Sequence, residues 1–142
     1  MRIRKIKRNE LRKTSELMLE VFSKSPFNEE CPIEDVIESL EFYYKNAEIY
    51  IAYSDSIEGV IVFQIEKWWE GNVLIVQDLA VRKNSQRKNI GRLLMNFLDE
   101  FSKKKEIKKI IFGTHRDSDS VDFYKKLGYK INRNGIVMEK IL

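Results

Sequence analysis

The sequence predicts a mixed α/β (α+β) fold in which helices cover both faces of a largely antiparallel sheet of about seven strands. One observation is the order of elements indicated by apolar spacing, β-α-α-β-β-β-α-β-α-β-β, which is typical of a two-sided sandwich. The other is length. The chain has 142 residues, 43% of them hydrophobic, which suffices for one core and for one domain over residues 1–142.

In the first third of the chain we expect one strand and two helices. Isoleucines within 3–6 indicate a short strand, and apolar residues over 14–22 recur at helical spacing. The segment 25–28, with its proline, ends this helix. Pro32 stands at a first-turn position, so a second helix is expected to begin there and to end near Asn46.

The middle of the chain predicts a hairpin, a central strand and a strong helix. Residues 49–53 and 60–65 show extended apolar patterns on either side of a Ser-Asp-Ser cluster, which indicates a β-hairpin. Residues 73–81 are rich in β-branched side chains and form the expected central strand. From Gly91, apolar residues mark one face of an amphipathic helix that ends in three lysines.

The last third predicts three strands and a short helix. Residues 110–112 form a fifth strand, and 121–127 a helix that Gly128 ends. Residues 129–131 and 136–138 flank an Asn-Gly pair, which predicts a final hairpin.

Composition excludes several classes of protein. The formal charge of +4 is too small to require a nucleic-acid partner. No apolar run approaches the roughly 20 residues that cross a bilayer, and the basic N-terminus lacks the apolar region of a secretory signal, so we expect a cytoplasmic protein. Cys31 is the only cysteine and His115 the only histidine. We therefore expect no disulfide and no metal site, with Cys31 as a buried or capping residue.

A run of cations follows the central strand. Between Arg82 and Arg92 there are five cationic residues and no acidic one, and Gly91 opens the next helix. The start of a helix presents unpaired N–H groups and the positive end of a dipole, which together favour phosphate or pyrophosphate. The glycine patterns of nucleoside triphosphate and dinucleotide sites are both missing.

This segment resembles motif A of the GNAT acetyltransferases. In that motif a strand ending in a Leu-Ala-Val-like triplet precedes Gln or Arg, two residues, Gly, one residue, and Gly or Ala. Here the triplet is Leu79-Ala80-Val81, and Gln86 to Gly91 follow after four residues. Asn89 stands where glycine is usual, and asparagine tolerates the left-handed backbone expected there.

A second resemblance to the same family lies downstream. The segment from Asp117 to Tyr129 is similar to the GNAT signature N-x-x-A-x-x-F-Y-x-x-x-G followed by Phe or Tyr. Phe123, Tyr124 and Gly128 match, as does Tyr129, whereas an aspartate replaces the usual asparagine and a serine the usual alanine.

The resemblance implies a GNAT-like fold and an N-acetyltransferase. It implies transfer of an acetyl group from acetyl-CoA, without a metal, to a primary amine by direct attack in a ternary complex. The amine is a protein N-terminus, a lysine, a polyamine or a small amine. It also implies donor binding, largely through main-chain groups, by Leu79, Ala80, Val81, Gln86, Arg87, Lys88, Asn89, Ile90, Gly91, Arg92 and Ser118.

Two side chains are the candidate catalytic groups. By resemblance the Tyr124 phenol lies near the CoA sulfur, where it can protonate or hydrogen-bond the departing thiolate. Asp78, beside the Leu-Ala-Val triplet, can accept a proton from the substrate ammonium. Glu66, Glu70 and His115 are its rivals for this second role.

Other interpretations stay open. Trp68 and Trp69 either wall the acceptor site or pack against the core or a second subunit, so a homodimer is among the partners considered. The protein as a whole is alternatively a GNAT-like module that senses CoA without turnover. A nucleic-acid-binding α/β domain that uses the cationic run is the third reading.

Overall fold

The structure, a computed structural model, describes the backbone of residues 1–142 and the side chains of residues 1–85 and 89–142. It contains five strands and four α-helices, with short 3-10 turns at Arg8–Glu10 and Lys83–Lys88. In chain order the elements are β1 (Arg2–Lys5), α1 (Leu11–Phe22), α2 (Ile33–Asn46), β2 (Glu48–Tyr53), β3 (Ile57–Trp68), β4 (Gly71–Val81), α3 (Ile90–Lys104), β5 (Lys109–Ile111) and α4 (Ser120–Lys126).

The five strands form one sheet in the order β1-β2-β3-β4-β5. Neighbours pair antiparallel except β4 and β5, which are parallel because α3 carries the chain back across the sheet between them. The predicted class is confirmed, since the sheet is mixed and mostly antiparallel with helices on both faces.

The predicted final hairpin at 129–131 and 136–138 is wrong, so the sheet has five strands rather than seven. Residues 129–142 are described and form no strand. In the bend between the two predicted strands, the Asn134 N–H donates to Asn132 Oδ1 at 2.9 Å. Two short strands alone, with no sheet beneath them, bury too little apolar surface to be stable.

Two cores lie on opposite faces of the sheet. Along β3, Val60 and Val62 point into a core beneath α1 and α2, whereas Ile61 and Phe63 point into a core beneath α3. This alternation follows from the two-residue period of a strand. All four side chains are fully buried, which fixes the register of the sheet around its central strands.

A bulge in β4 shapes the end of the sheet. Val62 pairs with Asp78 and Phe63 pairs with Val76, so Gln77 is an extra residue in β4. Pairing between β4 and β5 covers only the segment that ends at Ile75. The second half of β4 therefore has β3 on one side and an opening on the other.

None of the helices in the described chain is long and apolar enough to cross a membrane.

Candidate active site

A cavity of about 950 Å³ opens at the end of β4. Its walls are the second half of β4, the start of α3, the loop that follows α1, and the connection from β5 to α4. The loop after α1 is held in place by main-chain hydrogen bonds, such as that from Glu29 N to Phe22 O at 2.8 Å. Phe27 in this loop packs edge-on against Phe22 and against His115 across the cavity. The loop and the β5–α4 connection thus meet at one end of the cavity.

One side of the cavity combines an open strand edge with a helix start. Beyond Ile75, no β5 residue pairs with β4. At the other end of the opening, α3 begins at Ile90, and the first three N–H groups of a helix have no partner within the helix. The residue before it, Asn89, makes no side-chain cap. The open strand edge and the uncapped helix start therefore both border the cavity.

The left-handed turn predicted at Asn89 is confirmed, with φ of 58° and ψ of 26°. Two residues on, Gly91 forms part of the cavity wall. A β-carbon at this position would lie 3.5 Å from Phe123 Cζ and 3.9 Å from Val81 Cγ2, which are ordinary contacts. A methyl group therefore fits at Gly91, whereas a longer side chain would have to extend past these neighbours.

The cationic run divides into structural and cavity-facing residues. Arg82 donates two hydrogen bonds to the Ile57 carbonyl, at 3.1 and 3.3 Å, and pairs with Glu20 at 3.5 Å, so it ties β4 to β3 and α1. Lys83 and Arg92 line the cavity. The side chains of Gln86, Arg87 and Lys88, for which donor binding was predicted, lie outside the described residues.

The other residues predicted to bind the donor divide into those that line the cavity and those whose side chains are buried. Leu79, Val81 and Ser118 line the cavity. Ala80 and Ile90 are buried in the two cores, so only their main chains remain available to a ligand. Ser118 Oγ lies 2.6 Å from the Ser120 hydroxyl and accepts the Ser120 N–H.

Tyr124 stands on the cavity wall within an aromatic cluster. Its ring packs against Phe112, Phe123 and Tyr129, with centroid distances of 4.6, 5.2 and 6.2 Å. Burial raises the pKa of its phenol to about 12, against a smaller lowering by a hydrogen bond with Ser120. The phenol is therefore protonated throughout the physiological range and can act as a donor.

Asp78 lies on the opposite wall, toward α1 and α2. It is mostly buried, and burial, with a smaller contribution from the nearby Glu29 carboxylate, raises the pKa of its side chain from 3.8 to about 6. A carboxylate with this pKa is ionised at neutral pH and is a stronger base than an ordinary aspartate. Glu29 lines the same cavity, although no motif or spacing marks it in the sequence.

The three rivals of Asp78 occupy weaker positions. Glu66 accepts from Trp68 Nε1 at 3.2 Å, and Glu70 pairs with Lys109 at 2.7 Å, both at the far end of β4. His115 lines the cavity, but its Nδ1 accepts the Asp117 N–H at 3.1 Å. A neutral His115 ring must then carry its proton on Nε2, which leaves no acceptor nitrogen for a substrate ammonium.

Two further predictions concern aromatic and sulfur side chains. Trp68 and Trp69 lie at the β3–β4 turn, roughly 23 Å of strand away from Asp78, and line a separate recess of about 550 Å³. Trp69 is fully exposed, so it neither walls the cavity nor packs in the core.

Cys31 is exposed rather than buried or capping, because it precedes the extended Pro32 that itself occupies the N-cap of α2. Among the described side chains, no group of three metal-ligating residues converges.

The sequence matches a family model. The model described as the acetyltransferase (GNAT) domain matches residues 45–131, which is more than half of the chain. Among curated proteins no sequence matches.

Solved structures share the fold at low identity. A possible acetyltransferase from Clostridium difficile 630 is 18% identical with a TM-score of 0.85, over 99% of this chain and 98% of that one. An aminoglycoside 6'-N-acetyltransferase from Acinetobacter haemolyticus is 16% identical, with a TM-score of 0.79 over 100% and 99%. Glucosamine-6-phosphate N-acetyltransferase from Arabidopsis thaliana is 21% identical, with a TM-score of 0.74 over 99% and 97%. From the family match, with this fold and cavity behind it, the chain belongs to the GNAT family of acetyltransferases.

Proposed function

We propose that the protein transfers an acetyl group from acetyl-CoA to a cationic primary amine by direct attack in a ternary complex. The observation that carries this proposal is a single cavity in which an open strand edge and an uncapped helix start lie on one side, and a mostly buried carboxylate on the other. Such a cavity holds both substrates at once, so a covalent acyl-enzyme is not needed.

The donor would bind along β4 and end at α3. Beyond Ile75 the open edge of β4, with Leu79 on it, would offer main-chain groups to the amides of the pantetheine arm. The pyrophosphate would then lie at the N-terminus of α3, where the helix dipole favours an anion. Lys83 and Arg92 line this part of the cavity and add charge-assisted contacts.

The acceptor would enter beside Asp78. An ordinary amine has a pKa near 10, so its ammonium must lose a proton before attack. Asp78, whose pKa is raised to about 6, is the best-placed base in the described cavity, directly or through a water molecule. Main-chain N–H groups on the open side of β4 would stabilise the oxyanion that forms during attack.

Charge on the acceptor wall favours a cationic substrate. Among its described lining residues, Glu29 and Asp78 stand against Lys24, whereas the third carboxylate, Glu20, is paired with Arg82 at 3.5 Å. Of the two named substrates among the structural neighbours, an aminoglycoside carries several amines and glucosamine-6-phosphate carries a phosphate. The excess of carboxylates supports a polycationic acceptor, such as an aminoglycoside or a polyamine, over a phosphorylated amino sugar.

Tyr124 would assist the leaving group by donating a hydrogen bond. A simple thiol has a pKa of about 8.5, well below the phenol pKa of about 12, so complete proton transfer to the thiolate would be uphill. A neutral phenol still stabilises the thiolate while the negative charge develops on sulfur.

Two measurements test the proposal in sequence. Thermal shift with CoA and acetyl-CoA first checks donor binding, and transfer of isotope-labelled acetyl groups to a panel of polyamines, aminoglycosides, lysine peptides and amino-sugar phosphates then checks turnover. Transfer to the polycationic amines is the expected result. Stabilisation by CoA without transfer to any amine would favour a sensor, and steep salt-dependent binding of nucleic acid without a CoA effect would reject the donor site altogether.

A further inference from the structure

Three side chains that carry hydroxyl groups lie together on the wall of the cavity. They are Ser118, Ser120 and Tyr124, and all three line it. Ser118 comes just before α4, whereas Ser120 and Tyr124 are on that helix. Positions four apart on a helix share one face, and the side chain at the later position points back toward the earlier one. The Tyr124 phenol therefore extends toward the Ser120 hydroxyl.

The two serines form a close pair that the main chain holds in place. Their hydroxyl oxygens are 2.6 Å apart, and the Ser120 N–H donates to Ser118 Oγ at 3.2 Å. Ser118 is itself held by its N–H, which donates to the His115 carbonyl at 3.0 Å, and by its carbonyl, which accepts the Val121 N–H at 3.3 Å. The pair is therefore part of the turn that begins α4 rather than a loose surface contact.

The direction of these hydrogen bonds follows from the number of donors. A serine hydroxyl has one hydrogen to donate and two lone pairs that accept. The hydrogen bond from Ser120 lowers the pKa of the Tyr124 phenol, which is the effect of a donor, because a donated hydrogen favours the phenolate. Since Ser120 uses its only hydrogen on Tyr124, Ser118 is the donor in the close serine pair. The hydrogen bonds thus run from Ser118 through Ser120 to Tyr124.

Ser120 occupies the position at which the GNAT signature has alanine. An alanine has no hydroxyl to donate to the Tyr124 oxygen. The Tyr124 ring is already held by Phe112 and Phe123, with centroids 4.6 and 5.2 Å away, so packing fixes the ring but not the direction of its O–H bond. With its oxygen bonded to Ser120, the phenol keeps its own hydrogen free for a partner in the cavity. Orientation of that hydrogen is what Ser120 adds.

We propose that Ser120 is a positioning residue that, together with Ser118, directs the single hydrogen of the Tyr124 phenol toward the sulfur of the departing CoA. The proposal rests on the acetyl transfer proposed above and adds to it the groups that orient the phenol. No proton moves along the chain of hydroxyl groups, since each oxygen keeps its hydrogen. The phenol stabilises the developing thiolate through a hydrogen bond that is aligned before the reaction begins.

A double-mutant cycle tests whether Ser120 acts through Tyr124. We expect Ser120→Ala to lower kcat by about 3- to 10-fold, as for the loss of one neutral hydrogen bond, with little change in KM for acetyl-CoA or the amine. Ser120→Thr keeps a hydroxyl and should restore kcat to within about twofold of the wild-type value. In a Tyr124→Phe background, Ser120→Ala should have no further effect. The matched control is Ser102→Ala, which removes a buried hydroxyl from α3 outside the cavity wall and should leave kcat unchanged.

A titration without substrate tests the chain of hydroxyl groups itself. Fluorotyrosine placed at position 124 is more acidic than tyrosine, so its phenol titrates at a lower pH, and fluorine NMR follows the titration. Ser120→Ala should raise this pKa by about half a pH unit or more, whereas Ser120→Thr should not. Because no turnover is needed, the result is independent of the isotope-transfer assay, whose failure would reject the proposed function. An unchanged pKa in Ser120→Ala would overturn the proposal, as would an undiminished loss in the Tyr124→Phe background or a Ser120→Thr variant as slow as Ser120→Ala.

Discussion

At the scale of single residues, burial raises the pKa of both proposed catalytic side chains but suits them to different roles. Loss of water raises the pKa of Tyr124 to about 12 and of Asp78 to about 6. The first shift keeps a donor protonated, and the second makes a carboxylate a better base without neutralising it at pH 7. One physical cause therefore prepares a donor on one wall of the cavity and a base on the other.

Replacing Tyr124 with phenylalanine isolates the hydroxyl group. We expect Tyr124→Phe to lower kcat by on the order of 10²-fold and to leave acetyl-CoA affinity nearly unchanged, because the ring keeps its packing. Tyr129→Phe is the matched control, since the Tyr129 hydroxyl is buried without a hydrogen-bond partner in the described structure. Single-turnover kinetics should show the loss only for Tyr124, and full activity of Tyr124→Phe would remove its role in leaving-group departure.

The activity of the wild-type protein should rise with pH through about 6 as Asp78 loses its proton. In Asp78→Asn this limb should disappear, and the plateau of kcat/KM for the amine should fall by on the order of 10²-fold. Glu70→Gln serves as control, because Glu70 lies outside the cavity and pairs with Lys109. An unchanged limb in Asp78→Asn would transfer the base to another group or to a chain of water molecules.

At the scale of elements, the start of α3 is the feature whose function depends most on the main chain. Gly91→Ala should keep both fold and acetyl-CoA affinity, because a β-carbon meets only ordinary contacts there. Gly91→Glu should weaken acetyl-CoA binding by about tenfold or more, since a carboxylate would compete with phosphate for the same N–H groups.

The stability of the Gly91 variants makes that test specific. An acidic residue in the first turn of a helix stabilises it by about 0.3–1 kcal/mol, so Gly91→Glu should not unfold more easily than Gly91→Ala. Calorimetric titration with acetyl-CoA and a denaturation curve for each variant supply the two readouts. Equal acetyl-CoA affinities in the two variants would place the pyrophosphate elsewhere.

Elements with strong periodicity could be predicted from the sequence, and those that depend on a tertiary partner could not. The central strand, the helix from residue 90 onward and the left-handed Asn89 follow from β-branched runs, helical spacing and local backbone preferences. The hairpin expected over 129–138 fails because its pattern describes a strand, whereas strand formation needs a paired edge. Local sequence shows the pattern of a strand but does not show whether an edge is available to pair with it.

The residues of the cavity show the same limit of prediction from local sequence. Tyr124 and Leu79 could be selected because their segments resemble family motifs, and both line the cavity. Glu29 could not, because it lies in a loop between two helices and reaches the cavity only after α1 packs on the sheet. The fates of Arg82 and Lys83 also differ although they are adjacent in sequence, since only the structure shows that Arg82 is tied to β3 and α1.

At the scale of the whole molecule, the ionised Asp78 destabilises the fold. Its pKa is higher in the folded protein than in the unfolded chain, so its contribution to stability is fully present below pH 3.8 and is lost as pH rises through about 6. The difference between the pKa of 3.8 and the pKa of about 6 corresponds to a loss of at most about 3 kcal/mol in the free energy of unfolding.

Removal of that charge should therefore stabilise the protein above pH 6. We expect Asp78→Asn to raise Tm by several degrees at pH 8 and to have little effect near pH 4, which differential scanning calorimetry at both pH values can measure. Equal effects at the two pH values would mean that the substitution acts through packing rather than through the charge.

The parting of β4 from β5 after Ile75 also has a consequence for inhibition. A compound with alternating amide donors and acceptors at peptide spacing would complete the sheet along this edge much as a further strand would. Such a backbone mimic would gain affinity from main-chain groups, of which a point substitution removes at most one N–H and only by introducing proline, so resistance would be hard to acquire there. It would also recognise any protein with a similar opening. Selectivity for this enzyme would have to come from side chains, such as those of the acidic wall around Glu29 and Asp78.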